Sequence, residues 1–511
     1  MFKNFRPAFR SALIISAFLI LAAASAQAKA VHFKVKLDAS MAKPGEALSG
    51  RLLIFMTSRK EPLQTIEPDF TDPRAVWITA MEVRNLEPNR AVVVDADALS
   101  FPAGFSAAPA GEYQVMALLD RDHSYTYDGM GAGDIFSSVI KAEMSAAETG
   151  LVLSHSVPEP KLPVYPANVK IIEFESPALS RFWGRPVKIQ ASVVLPPDYD
   201  KSKQLRFPTV YSAHGYGGDN LRSLAGVENL NKEMAEGKRP QMIYVYLNAH
   251  CPLGHHVFTD SANNGPWGQA LTTEFIPYLE KQFRMDARPS GRFLTGHSSG
   301  GWTTLWLQVT YPDFFGGTWS TSPDPVDFRS FTGPDLTKYP PQNAYTNAGG
   351  KPYNLVRMGG KELMTVEEYA RQENVLGYYG GQFASFNAVF SPKGDDGRPM
   401  PLFDTATGRI DPIVQKAWEK YDISLILRNN WKTLGPKLKG KLHIIVGTAD
   451  TFHLDEAVRL LDAELEKLGS DARFEYLEGR THFDLYQGGL GLTIAQEMYA
   501  VARPKAKAAA K

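Results

Sequence analysis

A serine framed by glycines, Gly296-His297-Ser298-Ser299-Gly300, stands between two segments of opposite character. Before it, Gly291-Arg292-Phe293-Leu294-Thr295 reads as a buried strand; after it, Gly301 to Gln308 reads as a helix. A G-x-S-x-G pentapeptide alone arises by chance in a long chain. Placed between a strand and a helix, it requires a sharp turn that lifts the serine oxygen clear of the backbone. The glycines remove side chains where strand and helix crowd together. The feature therefore calls for a sheet covered by helices, with a serine nucleophile at the sheet's carboxyl edge.

The surrounding pattern agrees. Val187 to Leu195, Thr209 to Ala213, Met242 to Leu247, Gly316 to Ser320, Leu442 to Val446 and Arg473 to Leu477 read as strands, with helices over about 268–283 and 455–468. Strands alternating with helices predict an α/β domain with a mostly parallel sheet, over 168–502. The earlier region, 29–157, is different. Val31 to Leu37 alternates with period two, and Leu52 to Met56, Ala91 to Val94 and Tyr113 to Leu119 are further strand-like runs. Turn signals such as Pro44-Gly45 and Pro102-Ala103-Gly104 separate them, which predicts a small all-β, sandwich-like domain. No metal cluster stands out in it. Residues 158–167, rich in proline, read as a stiff linker.

The termini bear on compartment. Lys3, Arg6 and Arg10 precede an apolar run from Ala12 to Ala24, and Ala26-Gln27-Ala28 closes it with small residues. This predicts a signal peptide over 1–28 and a periplasmic or secreted protein without a stable membrane span afterwards. Residues 503–511, rich in lysine and alanine, read as a disordered tail. Lysine plus arginine equals aspartate plus glutamate, 55 each, so there is no electrostatic case for nucleic acid. Cys251 is the single cysteine, which excludes an intrachain disulfide and reads as structural.

A serine hydroxyl needs a base, and the base needs an acid to orient it. Candidates follow Ser298 in the order acid, then histidine. Asp450 stands just past a strand, with Asp455 and Glu456 as rivals in the next helix's first turn. His482 follows the last strand, with His453 as its competitor. Negative charge on an attacked carbonyl must also meet fixed N–H donors. One is expected from Ser299. The other is expected from the loop Ala213-His214-Gly215-Tyr216-Gly217-Gly218, at Tyr216 or its rival Gly217. His214, Trp267 and His297 are candidate substrate contacts. No metal and no cofactor are called for.

The HG-x-GG loop, the GHSSGG elbow, Gly447-Thr448-Ala449-Asp450 and the late His482 together resemble the putative-esterase family of α/β-hydrolases, over about 168–325 and 440–500. The resemblance implies Ser298, Asp450 and His482 as a triad, with Tyr216 and Ser299 as oxyanion donors. It also implies cleavage of a small-molecule or glycan ester, of carbohydrate, aryl or siderophore type, through an acyl-enzyme. An acyltransferase or a peptidase on the same fold is the first alternative. A binding protein with an inert hydrolase domain is the second. One departure stands out: some 115 residues, 325–439, separate the strand after the elbow from the strand before Asp450. An insertion of that length is expected to roof the site, its aromatics mostly packing its own core.

Overall fold

The structure, a computed structural model, describes residues 30–504 except 145–147, 162, 202 and 378. The expected signal peptide and residues 505–511 lie outside the described residues. Arg503, read as the start of a tail, is instead anchored: its guanidinium pairs with Asp286 and donates to the Arg206 carbonyl at 3.0 Å.

The α/β region is built on one eight-stranded sheet. Its order is Val169–Glu175, Lys188–Val194, Ile243–Leu247, Thr209–Ala213, Arg292–His297, Gly317–Thr321, Leu442–Gly447 and Arg473–Leu477. The first two strands are antiparallel to their neighbours, and from Ile243–Leu247 onward every pairing is parallel. Gly317–Thr321 and Leu442–Gly447 are buried at every position, because helices cover both faces. Absence of alternation in these runs is thus a consequence of their place in the sheet. The first strand and the closing helix Leu490–Ala502 were not expected from sequence.

The four runs expected to be strands in the N-terminal region are strands. All of them belong to one continuous hydrogen-bonded sheet. One hydrogen-bonded path runs Ala91–Asp95, His32–Leu37, Glu148–Ser156, Ile135–Ser137, Glu112–Asp120, Leu48–Thr57, Val76–Leu86 and Ser100–Phe101, with Ile140–Glu143 also pairing on Glu112–Asp120. One face of this sheet closes over Phe33, Val35, Leu52, Ile54, Val115 and Leu151. Side chains of the alternate parity, Leu53, Phe55, Ile78, Met116 and Leu118, enter a second core together with Val375, Phe328 and Trp302 of the α/β region. The partner layer for that face is therefore the α/β region itself. The prolines at 158–167 mark a boundary in the chain but not in the core.

The insertion, 325–439, is folded. It holds the hairpin Asn354–Met358 and Lys361–Thr365 and the helices Val366–Leu376, Gln382–Phe390, Pro412–Trp418 and Ile423–Leu438. Phe331, Phe386, Phe390 and Trp418 pack against one another, as expected for most of its aromatics. Helix Val366–Leu376 opens on a capping box between Thr365 and Glu368. Both of its ends are tied to the β-region: Arg74 pairs with Glu368, and Arg51 donates to the carbonyls of Asn374 and Val375 at 2.9 Å. A cation on the last carbonyls of a helix suits its dipole. The β-region also brings Asp120, Asp122 and Asp134 together, with ligand atoms within 4.8 Å of one another, a cluster that sequence spacing did not suggest. The N–H groups of Arg121, Ser124, Tyr125 and Gly131 already donate to these carboxylates.

Candidate active site

Ser298 links strand Arg292–His297 to helix Ser299–Thr310 with φ 61° and ψ −126°. A side chain at positive φ outside glycine carries strain, which the packing around the turn must hold. The flanking glycines show why the motif has its spacing. A Cβ on Gly296 would stand 2.2 Å from the Gly300 carbonyl oxygen, and one on Gly300 would stand 2.1 Å from that of Ala213. Both obstacles are backbone and cannot swing away. Gly300→Ala is expected to cost about 3 kcal/mol or more, read as a fall in the urea midpoint. An unchanged midpoint would mean that the elbow can open without loss.

The expected acid and base meet. His482 Nδ1 is 2.9 Å from Asp450 Oδ2, both side chains being buried, so Nδ1–H donates and Nε2 is left for another partner. Burial alone would raise the Asp450 carboxyl. The hydrogen bond and charge of His482, with the Phe452 N–H at 3.0 Å, outweigh it and hold the group below its usual value. The rivals are engaged elsewhere. Asp455 pairs with Arg357 at 2.8 Å, and His453 Nε2 faces Glu362 at 3.2 Å.

The glycine loop after Thr209–Ala213 lies against the serine: a Cβ on Gly215 would be 3.2 Å from Ser298 Cβ. Gly215 and Tyr216 line the same cavity as Ser298 and His482. Ser299 begins a helix, whose opening N–H groups have no partner within it and whose dipole favours negative charge. His214 and Trp267, expected as substrate contacts, do not line that cavity. His214 is scaffolding. Its Nε2 accepts the Ala249 N–H at 2.8 Å, so Nδ1–H donates to the Gly215 carbonyl at 2.8 Å. His255 Nε2–H donates to the His214 carbonyl at 2.9 Å. Burial lowers both imidazoles below their usual range and keeps them neutral for these bonds. Trp267 stacks on His256 at 3.6 Å in a separate core. His297 does line the cavity, its ring 4.3 Å from that of His482. Burial, then the neighbouring His482, brings His297 down to about 3.

The cavity has a volume of about 550 Å³, within the range of small-molecule sites. Its walls are mainly Phe383, Phe386, Leu355 and Leu454, with Phe70, Phe452 and Phe483 around its aromatic edge. Phe70 comes from the β-region and Phe383 and Phe386 from the insertion, so three parts of the chain build one site. Outside the insertion's aromatics, none of these was singled out from sequence, where each is one apolar residue among many.

Asp324 was also missed. It lies three residues past Gly317–Thr321, as Asp450 lies three past Leu442–Gly447. Its Oδ2 accepts from Ser299 Oγ at 2.5 Å, and its Oδ1 is 3.5 Å from Ser298 Oγ, too long for a strong bond. Burial pushes this carboxyl up to about 6. A raised acid favours the fold while protonated, and that stability is lost as pH rises from the unfolded value of 3.8 through about 6. Asp324→Asn should thus lose about 2 kcal/mol less than the parent between pH 4 and pH 7, measured by urea unfolding at each pH. Parallel pH curves would refute this.

Comparison with known proteins places the chain. The family model described as Putative esterase matches residues 184–465, more than half of the chain. No curated protein sequence matches it. Among solved structures, the chain is similar to a ferulic acid esterase at 14% identity, covering 65% of this chain and 98% of that one, with a TM-score of 0.42. It is also similar to the fluorophosphonate-binding serine hydrolase F of Staphylococcus aureus at 13% identity, covering 65% and 98%, TM-score 0.37. An S-formylglutathione hydrolase from Agrobacterium tumefaciens matches at 13% identity, covering 66% and 94%, TM-score 0.37. These likenesses are remote, and the assignment rests on the family model: the chain belongs to the putative esterase family, whose chemistry is ester hydrolysis.

Proposed function

We propose that this protein is an exported serine esterase that cleaves small esters carrying a bulky apolar, ring-sized group. The observation that carries the reading is the 2.9 Å contact of the buried Asp450 with His482, which lines one cavity together with a serine held at positive φ. His482 Nε2 takes the Ser298 proton as Oγ attacks the ester carbon. The carbonyl oxygen, now an anion, is met by the N–H groups of Ser299 and the Gly215–Gly217 loop. The imidazolium returns its proton to the leaving alcohol, and an acyl-enzyme remains. Water, deprotonated by the same imidazole, releases the acid and restores Ser298. Asp450 holds the imidazole in the tautomer this requires and stabilises its cation. The apolar lining supports an aryl or branched acyl group over a bare sugar, because an unpaired hydroxyl buried there would lose its hydrogen bonds to water. Export is supported by the basic and apolar leader at 1–28.

The test is hydrolysis of p-nitrophenyl esters from acetate to laurate and of methyl ferulate, with fluorophosphonate labelling alongside. Labelling at Ser298, with turnover favouring the larger acyl groups, is the expected result. Neither labelling nor turnover would refute a serine mechanism. Turnover confined to acetate would refute the assignment of the aromatic walls.

A further inference from the structure

The β-region does more than cover a core. Its helical turn Tyr125–Asp128 reaches the loop that stands over Ser298. Tyr127 Oη donates to the Gly218 carbonyl at 2.9 Å, and the Tyr127 ring meets that of Tyr216 edge-on, with centroids 4.9 Å apart. The other face of Tyr127 stacks on His250 at 4.3 Å, so the ring is held between two parts of the α/β region. Tyr216 reciprocates. Its hydroxyl lies 2.8 Å from the Thr126 carbonyl and 2.7 Å from that of Gly380, sharing one proton between the β-region and the insertion. Thr126 Oγ1 donates to the Gly377 carbonyl at 2.9 Å, and Arg222, just beyond the loop, pairs with Asp128 at 3.2 Å.

These contacts matter because of what the loop itself lacks. Residues Gly215, Gly217 and Gly218 carry no side chain that could lock them, and Gly217 sits at φ +75°. On one side His214 and His255 grip the loop's entry. On the other, Tyr127 holds Gly218, the Thr126 and Gly380 carbonyls hold the Tyr216 hydroxyl, and Arg222 donates to the Gly217 carbonyl at 2.6 Å. A hydrogen-bond donor that stabilises a developing anion must be in place beforehand, since reorganising it during reaction forfeits the gain. An unanchored glycine loop would have to be ordered at each turnover.

We propose that Tyr127 of the β-region is a positioning residue for the reaction, acting through Tyr216 to hold the anion-binding loop over Ser298. The β-region is then an integral part of the catalytic unit, and supplies part of the loop's support. This rests on the serine esterase reading above. Tyr127 does not line the cavity, so its loss should leave ground-state binding alone.

The experiment uses the full chain. Tyr127→Ala is expected to lower kcat by about 10- to 100-fold, part of the loss seen on deleting a whole donor, with KM changed less than twofold. Affinity for a trifluoromethyl ketone analogue, which forms an anionic adduct on the serine, should fall by the same factor as kcat/KM. Tyr127→Phe keeps the ring, loses only the bond to Gly218, and should lower kcat by about threefold to tenfold; it serves if the alanine variant does not fold. Tyr113→Phe is the control. It removes a half-buried hydroxyl bonded to the Pro109 carbonyl at the edge of the β-region's own core, and should lower Tm without changing kcat. The proposal is overturned if both Tyr127 variants fold and keep the parent's kcat. It is equally overturned if kcat falls no more than in Tyr113→Phe at matched Tm, or if KM rises while analogue affinity is unchanged. Failure of the underlying reading looks different: the parent itself would not label with a fluorophosphonate, and Ser298→Ala would keep its activity.

Discussion

Ser298→Ala is expected to lower kcat toward ester substrates by about 10⁶-fold, with substrate affinity and Tm close to those of the parent. Only the hydroxyl at the centre of the elbow is lost. The tight turn is allowed by Gly296 and Gly300, where any Cβ would meet a backbone oxygen whichever residue stands between them. Removing the side chain at φ 61° also takes away no contact that the fold needs, since its one recorded partner is Asp324 at the long distance of 3.5 Å. The residual rate should come from the anion-binding loop and the cavity alone. The measurement is kcat and KM on the preferred p-nitrophenyl ester, with product titrated to exclude parent contamination. Activity within a factor of 100 of the parent would mean that another group is the nucleophile. Cys251 is a poor candidate, since its buried thiol is pushed up to about 12.

Asp450→Asn is expected to lower kcat by about 10⁴-fold without disturbing the backbone. Asparagine fits the space but donates where the carboxylate accepted, so His482 turns to the tautomer with its proton on Nε2. That nitrogen then cannot take the Ser298 proton. Asp324 provides the sharpest comparison. It stands at the same offset from the adjacent strand, yet its hydrogen bonds go to Ser299, Gln382 and, at 3.5 Å, Ser298, not to His482. Asp324→Asn should therefore keep kcat within about tenfold of the parent. A reversal, with the 10⁴-fold loss in Asp324→Asn and a mild effect in Asp450→Asn, would move the acid to Asp324. Asp450 also carries a stability effect of opposite sign to that of Asp324. Its depressed carboxyl stabilises the fold at neutral pH, and that contribution is lost as pH falls from the unfolded value of 3.8 through the lower folded one. Acid unfolding of the Asn variant should accordingly begin from a lower plateau.

Local chemistry in the chain determined the elbow, the strands around it and the chain order of the candidate nucleophile, acid and base. Those features depend on near neighbours: two glycines two residues from a serine, an apolar run followed by a turn, a histidine just past the last strand. The strand Thr209 to Ala213 and the strand Arg473 to Leu477 were legible to the residue for that reason. Only the tertiary structure distinguishes Asp450 from Asp324, because both satisfy the same local rule and what separates them is the contact with His482, 32 residues after Asp450. Only the tertiary structure moved His214 and Trp267 from substrate contacts to scaffolding, since a polar or aromatic residue beside a glycine loop looks the same in either role. The β-region shows the limit most clearly. Its apolar runs announced strands, but the reason Leu48–Thr57 is buried on both faces lies about 320 residues away, at Val375 and its neighbours. Periodicity reports how a strand is buried, and packing between distant segments decides against what. For the same reason Phe70 and Tyr127 gave no signal in the chain, although one lines the cavity and the other rests on the loop above the serine.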